Sequence, residues 1–179
     1  MPHIAIDNDQ PGIRGLMAQR PDTAGPLNQL AETLLRSPMS LPTGERELIA
    51  AYASHLNSTP FCSGSHGAFA AFQLDGGHEL VDAVLANPDT APITPQLRGL
   101  LRIAAEVCRP VQPLTDATVE AAREAGADDA QIHDTVLIAA AFCMYNRYVT
   151  CLDTELPNDP GYFDEGAKRI VTQGYTSHA

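Results

Sequence analysis

Basic residues are scarce in this chain of 179 residues. Lysine and arginine together number 11 against 22 aspartates and glutamates, which gives a formal net charge of −11. Binding to nucleic acid requires a clustered excess of lysine and arginine that neutralises phosphates, and binding to an anionic membrane surface requires the same. We therefore expect neither nucleic acid nor a membrane among the partners of this protein.

Long apolar runs are also missing. The longest one extends from Val136 to Tyr145, far short of the roughly 20 residues that a membrane-spanning helix needs. Residues 1–7 contain neither a basic region nor a long apolar one, so they do not resemble a secretory signal. We expect a cytoplasmic protein.

The cysteines fit neither a zinc-binding pattern nor a dense disulfide framework. They stand far apart, at Cys62, Cys108, Cys143 and Cys151, which suits a reducing compartment. Eight residues of helix would separate Cys143 from Cys151 by about 12 Å, beyond the roughly 7 Å Cα limit for a disulfide. Either of these two cysteines could instead face Cys62 across the fold. We expect no metal and no other cofactor.

Alternation of apolar and polar residues, the mark of a half-buried β-strand, is absent throughout. Apolar residues instead recur at intervals of three and four, and the longest such segment covers about residues 129–153. We predict an all-α fold of about seven or eight helices. One domain is expected over residues 24–179, preceded by a proline-rich N-terminal arm at residues 1–23.

Apolar content predicts association of several copies. Hydrophobic residues make up 44% of the chain and charged residues only 18%, so a monomer would struggle to cover its apolar helix surface. A homo-oligomer is therefore expected, with the arm packed on a neighbouring subunit. The alternative is a compact monomer with a disordered arm.

Residues 43–66 contain two predicted helices separated by a short break. Pro60 suits the first turn of the second helix, and Ser58 or Thr59 can serve as its cap. Cys62 then lies in the first helical turn, where the helix dipole and the free N–H groups lower the pKa of a thiol. The sequence therefore predicts a reactive thiolate, although an isolated cysteine is more often a small buried residue.

Two further residues are placed to act on Cys62. His66 follows at i+4 and can exchange a proton with the sulfur, directly or through a water. Glu47 lies on the preceding helix, where small residues on the same face would let the two helices approach, so its carboxylate can orient the imidazole. Its alternative interpretation is a solvated acid like Glu45. A mixed zinc site that also includes His55 matches no recognised ligand spacing.

This segment resembles the active-site segment of the alkylhydroperoxidase D-like (AhpD-like) proteins of the carboxymuconolactone decarboxylase superfamily, especially its peroxidase-related branch. The matching residues are Glu-Arg-Glu-Leu-Ile-Ala, Asn57, Phe61, Cys62, Ser65 and His66, and the resemblance covers most of residues 25–155. In that family a glutamate precedes the second cysteine of Cys-x-x-Cys by fifteen residues, and a histidine follows that cysteine by four. Glu47, Cys62 and His66 match this spacing, but Thr59 occupies the position of the first cysteine.

The resemblance implies an AhpD-like helical bundle, usually a homo-oligomer, and a thiol-dependent peroxide (alkyl hydroperoxide) reductase or related antioxidant oxidoreductase. Cys62 would attack the peroxide as a thiolate, and His66 with Glu47 would relay protons to the leaving oxygen. The sulfur would become a sulfenic acid. Because Thr59 cannot form the disulfide of the family, an external thiol or a distant cysteine would have to reduce the sulfenic acid.

Two alternatives stay open. One is acid–base chemistry on a small organic acid or lactone, in which His66 moves a proton at carbon and Glu47 holds the imidazole. Against it, Arg46 is the only basic residue beside the motif that is able to clamp a carboxylate. The other alternative is a catalytically silent helical oligomer or binding module, which the threonine at position 59 keeps open.

Overall fold

The computed structural model describes residues 2–159 and 161–177, and within them the chain is all-α, as predicted, with no β-strand. In chain order the helices are α1 (Gly12–Gln19), α2 (Pro21–Leu35), α3 (Thr43–Leu56), α4 (Pro60–Ala71), α5 (Gly77–Ala86), α6 (Pro95–Val107), α7 (Asp116–Glu124), α8 (Asp129–Cys151) and α9 (Tyr162–Gln173). The expected number of seven or eight is therefore wrong: the described residues contain nine helices. The difference arises at α1, which lies in the segment expected to be a proline-rich arm.

Helix α1 lies within the segment predicted to be an arm and packs on the other helices of its own chain. Its Leu16 is 1% exposed. Gly12 has a φ of +60°, and a Cβ at this position would lie 2.3 Å from the Phe61 ring on α4, so only glycine lets the chain pass this close. Helix α2 begins at Pro21, before the boundary expected at residue 23.

Helix α3 occupies the centre of the fold and contacts α2, α4, α5, α6 and α8. Its alanines Ala50, Ala51 and Ala53 are fully buried, so their small side chains let the neighbouring helices approach closely. Two charged residues of the same helix, Arg46 and Glu47, are buried with them. Buried charges require partners, and the partners of Glu47 define the site described below.

The longest helix, α8, begins as the sequence predicts. The Asp128 side chain accepts a hydrogen bond from the backbone N–H of Gln131, and the Gln131 side chain accepts one from the backbone N–H of Asp128. This reciprocal capping box satisfies N–H groups that the first turn of a helix leaves without partners. The start of α8 is thereby fixed by local sequence alone.

Helix α9 packs on α4, and the residues after it turn back into the fold. Ala167 is 1% exposed in the interface with α4. Gly174 ends the helix with a φ of +78°, a conformation that favours glycine. The next backbone N–H, of Tyr175, donates to Glu32 Oε2 at 2.6 Å. This turn brings the Tyr175 side chain to the interface between α3 and α4.

Candidate active site

Cys62 lies in the first turn of α4, as predicted, and is only 3% exposed. Burial raises the pKa of its thiol to about 11, although a hydrogen bond with the Asn146 side chain acts in the opposite direction. The lowered pKa expected from the helix N-terminus is therefore not found, because burial removes the thiolate from water and outweighs the hydrogen bond from Asn146. Cys62 rests as a neutral thiol at physiological pH.

A buried carboxylate–imidazole hydrogen bond joins α3 to α4. Glu47 Oε2 lies 2.7 Å from His66 Nδ1, with the Glu47 side chain fully buried and the His66 side chain 12% exposed. When the carboxylate accepts the Nδ1–H hydrogen bond, Nε2 is the nitrogen that can accept or donate a further proton. The rings of Phe69 and Phe142 pack edge-on against the imidazole, with centroids 5.2 and 4.5 Å away. The orientation of His66 is thus fixed on several sides.

Tyr175 adds a group that the sequence analysis missed. Its hydroxyl donates to Glu47 Oε1 at 2.7 Å, and its ring is inclined by 20° to the His66 ring at a centroid distance of 6.2 Å. Burial and the charge of Glu47 raise the pKa of Tyr175 well above its usual value. The phenol therefore stays protonated and donates. The only signal in the sequence was an aromatic residue directly after Gly174, far from the motif.

Asn146 connects the thiol to a row of buried polar side chains. It is 2% exposed, its Nδ2 donates to Ser54 Oγ at 2.9 Å, and its Oδ1 accepts from Asn57 Nδ2 at 2.9 Å. Asn146 is therefore a buried amide with a hydrogen-bond partner at each end. Because both ends of the amide are engaged, its orientation toward Cys62 is set by α3 and the residue after α3.

The remaining cysteines do not pair with Cys62. Cys143 Sγ lies 3.9 Å from Cys108 Sγ, whereas Cys151 is exposed, and all four thiols are free. Burial raises the pKa of Cys108 to about 12, with the neighbouring Cys143 as a second cause. His55 is exposed at the end of α3. In the described part of the chain, no three His, Cys, Asp or Glu side chains are grouped closely enough to hold a metal ion.

Cys62 and His66 line a cavity of about 650 Å³. This volume lies in the range that holds small organic ligands. The wall is mainly apolar and aromatic, with residues contributed by α1, α2, α4, α8 and α9, and two arginines, Arg14 and Arg169, also belong to it. The thiol and the imidazole therefore face a space large enough for an organic molecule.

Arg46, the one basic residue beside the motif, points away from the site. It is 2% exposed, and its Nη1 donates to the backbone carbonyls of Leu34 and Ser37 at 2.9 Å each. These carbonyls belong to the end of α2 and the turn after it, where the helix itself supplies no donors. Arg46 thus stabilises the fold and does not line the cavity.

A solved structure with the same arrangement of helices decides the family. It is an uncharacterized peroxidase-related protein from Ralstonia eutropha with the alkylhydroperoxidase AhpD core, 30% identical to this chain at a TM-score of 0.76, and the match covers 88% of this chain and 81% of the other. This chain belongs to the AhpD-like family. A second neighbour, an uncharacterized peroxidase-related protein from a Silicibacter species, is 26% identical at a TM-score of 0.74, with 83% and 77% of the two chains covered. No family model and no curated protein matches the sequence.

This AhpD-like protein departs from the family motif at Thr59, and the structure accounts for the threonine. Thr59 is 2% exposed, and its hydroxyl lies 2.9 Å from the Thr150 hydroxyl on α8 and 3.3 Å from the Asn57 carbonyl oxygen. Thr59 stands at the N-cap position of α4, one of the two positions expected, but its side chain makes no capping hydrogen bond there. Thr59 instead joins the start of α4 to α8, next to Cys62.

Proposed function

We propose that this AhpD-like protein is a thiol-dependent peroxide reductase, of the alkyl hydroperoxide class or a related antioxidant class. The main support for this proposal is that Cys62 and His66 line the same cavity. Glu47 orients His66 through a hydrogen bond to its Nδ1 nitrogen. That arrangement pairs a nucleophile with an oriented base. The peroxidase-related relatives support the same reaction class.

The neutral resting state of Cys62 requires a base in the first step. A thiol with a pKa of about 11 is ionised in only about one molecule in ten thousand at pH 7. In the proposed reaction, His66 Nε2 takes the thiol proton directly or through a water, and the buried carboxylate of Glu47 stabilises the imidazolium that forms. The Glu47–His66 hydrogen bond is therefore needed to generate the nucleophile.

The proposed oxidation of Cys62 by the peroxide needs no cofactor. The Cys62 sulfur attacks one peroxide oxygen, an S–O bond forms, and the O–O bond breaks with its electron pair on the leaving oxygen. His66 returns the proton to that oxygen, so the products are a sulfenic acid and an alcohol, or water when the substrate is hydrogen peroxide. Two molecules of an external thiol then restore Cys62 and leave as a disulfide with release of water.

Stopped-flow kinetics with hydrogen peroxide and an alkyl hydroperoxide tests this proposal. Trapping of the sulfenic acid followed by peptide mass spectrometry should place the modification on Cys62, with exposed Cys151 as the internal reference. Cys62→Ser should abolish peroxide consumption, and His66→Gln should slow it about 100-fold or more, the usual contribution of a positioned base. Oxidation of Cys62 no faster than that of free cysteine would refute the assignment.

A second function is favoured by the raised pKa of Cys62. If the thiol stays neutral throughout turnover, His66 can act alone as acid and base on a small organic acid or lactone, with Glu47 holding the ring. Cys62→Ser separates the two functions. Retained turnover of a lactone by this variant supports acid–base chemistry, and loss of all activity supports thiol chemistry.

We also propose that the protein acts as a homo-oligomer. Apolar side chains at the ends of α3 and α4 remain exposed: Leu56 by 41% and Phe72 by 52%. Association would cover these side chains. A cytoplasmic location is part of the same proposal, since an external thiol reductant is abundant there.

A further inference from the structure

Two arginines reach the cavity of Cys62 from opposite ends of the sequence. Arg14 is on α1 and Arg169 is on α9, and both belong to the cavity wall. Neither is within ion-pair distance of an acid among the described residues, whereas Arg102 and Arg123 pair with aspartates at 2.8 and 2.7 Å. The cavity wall therefore contains two cationic groups that form no ion pair with a carboxylate of the described residues.

Two buried polar atoms in this wall lack partners as well. Arg169 Nε and the Tyr162 hydroxyl are buried, and in residues 2–159 and 161–177 neither has a hydrogen-bond partner. A buried donor without a partner destabilises the fold. Both residues lie on α9 and line the cavity, so a small rotation of either side chain would present its unpartnered group to a ligand with oxygen acceptors.

The two guanidinium groups are close enough to repel each other. Burial and the charge of Arg14 both lower the pKa of Arg169. Glu165 is the one carboxylate among the described residues that line the cavity, and it is exposed. Two arginines and one carboxylate give the cavity wall a single net positive charge. A monoanionic ligand neutralises this charge, whereas a dianionic ligand would leave an excess negative charge in the cavity.

The rest of the wall is apolar. It includes the side chains of Ile13, Met17, Phe61, Phe163 and Ile170. Such a wall binds the hydrocarbon part of a ligand, and the few polar groups fix its orientation. A guanidinium group is suited to a carboxylate because its planar N–H groups donate two parallel hydrogen bonds.

We propose that Arg14 and Arg169, with the Tyr162 hydroxyl, form a carboxylate subsite, and that the ligand of this cavity is an apolar organic acid. Its carboxylate lies between the two guanidinium groups, and its apolar body extends to Cys62 and His66. This inference rests on the proposed function for the reactive end of the ligand: the substrate is then the hydroperoxide of an apolar carboxylic acid. The subsite itself does not depend on the reaction.

Ligand binding tests the subsite without turnover. Calorimetry on the full chain carrying Cys62→Ser should show that phenylbutyrate binds about tenfold or more tightly than the neutral phenylbutyramide, as expected for a charge-assisted contact. Arg14→Gln and Arg169→Gln should each reduce this preference, and the double variant should abolish it while the amide still binds. Arg20→Gln is the matched control, because Arg20 pairs with Asp22 and is not part of the cavity wall.

Equal affinity for the acid and the amide, or a preference that survives the double variant, would overturn the subsite. An alkyl phosphate that binds more tightly than the carboxylate of the same chain length would overturn the choice of a monoanion. Retained amide affinity in each variant shows that the cavity is still folded. A lost preference then reports the missing charge.

A kinetic comparison connects the subsite to the reaction. Wild-type protein should turn over the para-carboxylate of cumene hydroperoxide with a kcat/KM about tenfold or more above that of cumene hydroperoxide itself, and the double variant should treat both alike. If neither hydroperoxide reacts but the binding preference is present, the proposed function fails and the subsite stands. If both react equally in wild-type protein, the subsite plays no part in substrate choice.

Discussion

Alkylation of Cys62 as a function of pH tests the central electrostatic feature of the site. The pKa of Cys62 is raised from an ordinary value of 9.0 to about 11. This change lowers the thiolate fraction at neutral pH about 100-fold, equivalent to about 2.7 kcal/mol. With Asn146→Ala the pKa should rise further, because that variant removes the hydrogen bond that favours the thiolate.

The assay follows iodoacetamide labelling between pH 7 and pH 11 by peptide mass spectrometry. Exposed Cys151 serves as the reference in the same sample. Restricted access would slow the labelling of Cys62 by the same factor at every pH, whereas a raised pKa moves the midpoint of the rate profile to about pH 11. A midpoint at or below pH 9 would refute the conclusion that Cys62 rests as a neutral thiol.

The same pKa has a consequence for stability. The native thiol keeps its proton up to about pH 11 while the unfolded thiol loses it near 9.0, so this contribution to the free energy of unfolding is complete below pH 9 and is lost as pH rises toward 11. At pH 10 the loss amounts to about 1.4 kcal/mol. Urea unfolding at pH 7 and pH 10 should show a loss about 1.4 kcal/mol larger in wild-type protein than in Cys62→Ser, since the raised pKa of Cys108 contributes equally to both. Equal losses in both would contradict the raised pKa.

Four further predictions concern other parts of the structure. Tyr175→Phe removes a donor to buried Glu47 and should lower the free energy of unfolding in urea by about 1–3 kcal/mol. Arg46→Met leaves two carbonyls without their donor and should lower it by about 2–4 kcal/mol, with phenylbutyrate affinity unchanged as the control. Thr59→Cys should replace the trapped sulfenic acid on Cys62 by an intrachain disulfide, seen by mass spectrometry; a persistent sulfenic acid would contradict this. Light scattering should give a mass above the 19.1 kDa of one chain, and a monomer at micromolar concentration would remove the oligomer proposal.

The motif could be predicted because its information is local. Glu47 and His66 lie on consecutive helices, and the buried alanines of α3 set how closely α4 approaches. The helix boundaries followed from prolines and capping residues, as at Asp128 and Gln131. Local spacing was therefore sufficient to predict the fold class and the contact between the Glu47 carboxylate and the His66 imidazole.

Residues outside the motif could not be predicted, because tertiary packing alone brings them to it. Tyr175, Arg14 and Arg169 belong to terminal segments whose own sequences indicate only helices and a turn. The raised pKa of Cys62 could not be predicted for the same physical reason. The helix terminus, which lowers a thiol pKa, is a local feature of the sequence, whereas burial depends on every element packed around the thiol. At 3% exposure, burial outweighs the local effect.

The chemistry of His66 depends on the segment that contains α9 and the turn after it. A fully buried carboxylate such as Glu47 is stable only when donors replace the water that it has lost. His66 on α4 supplies one donor and Tyr175, after α9, supplies the other, so each carboxylate oxygen has its own partner. Because Tyr175 occupies Oε1, the imidazole is directed to Oε2, which leaves its Nε2 for the proton of the thiol or of a substrate. The same segment contributes Arg169 to the cavity wall. Docking of α9 on α4 therefore both orients the His66 imidazole and brings the positive charge of Arg169 to the cavity. For this reason, neither the orientation nor the charge could be predicted from residues 43–66 alone.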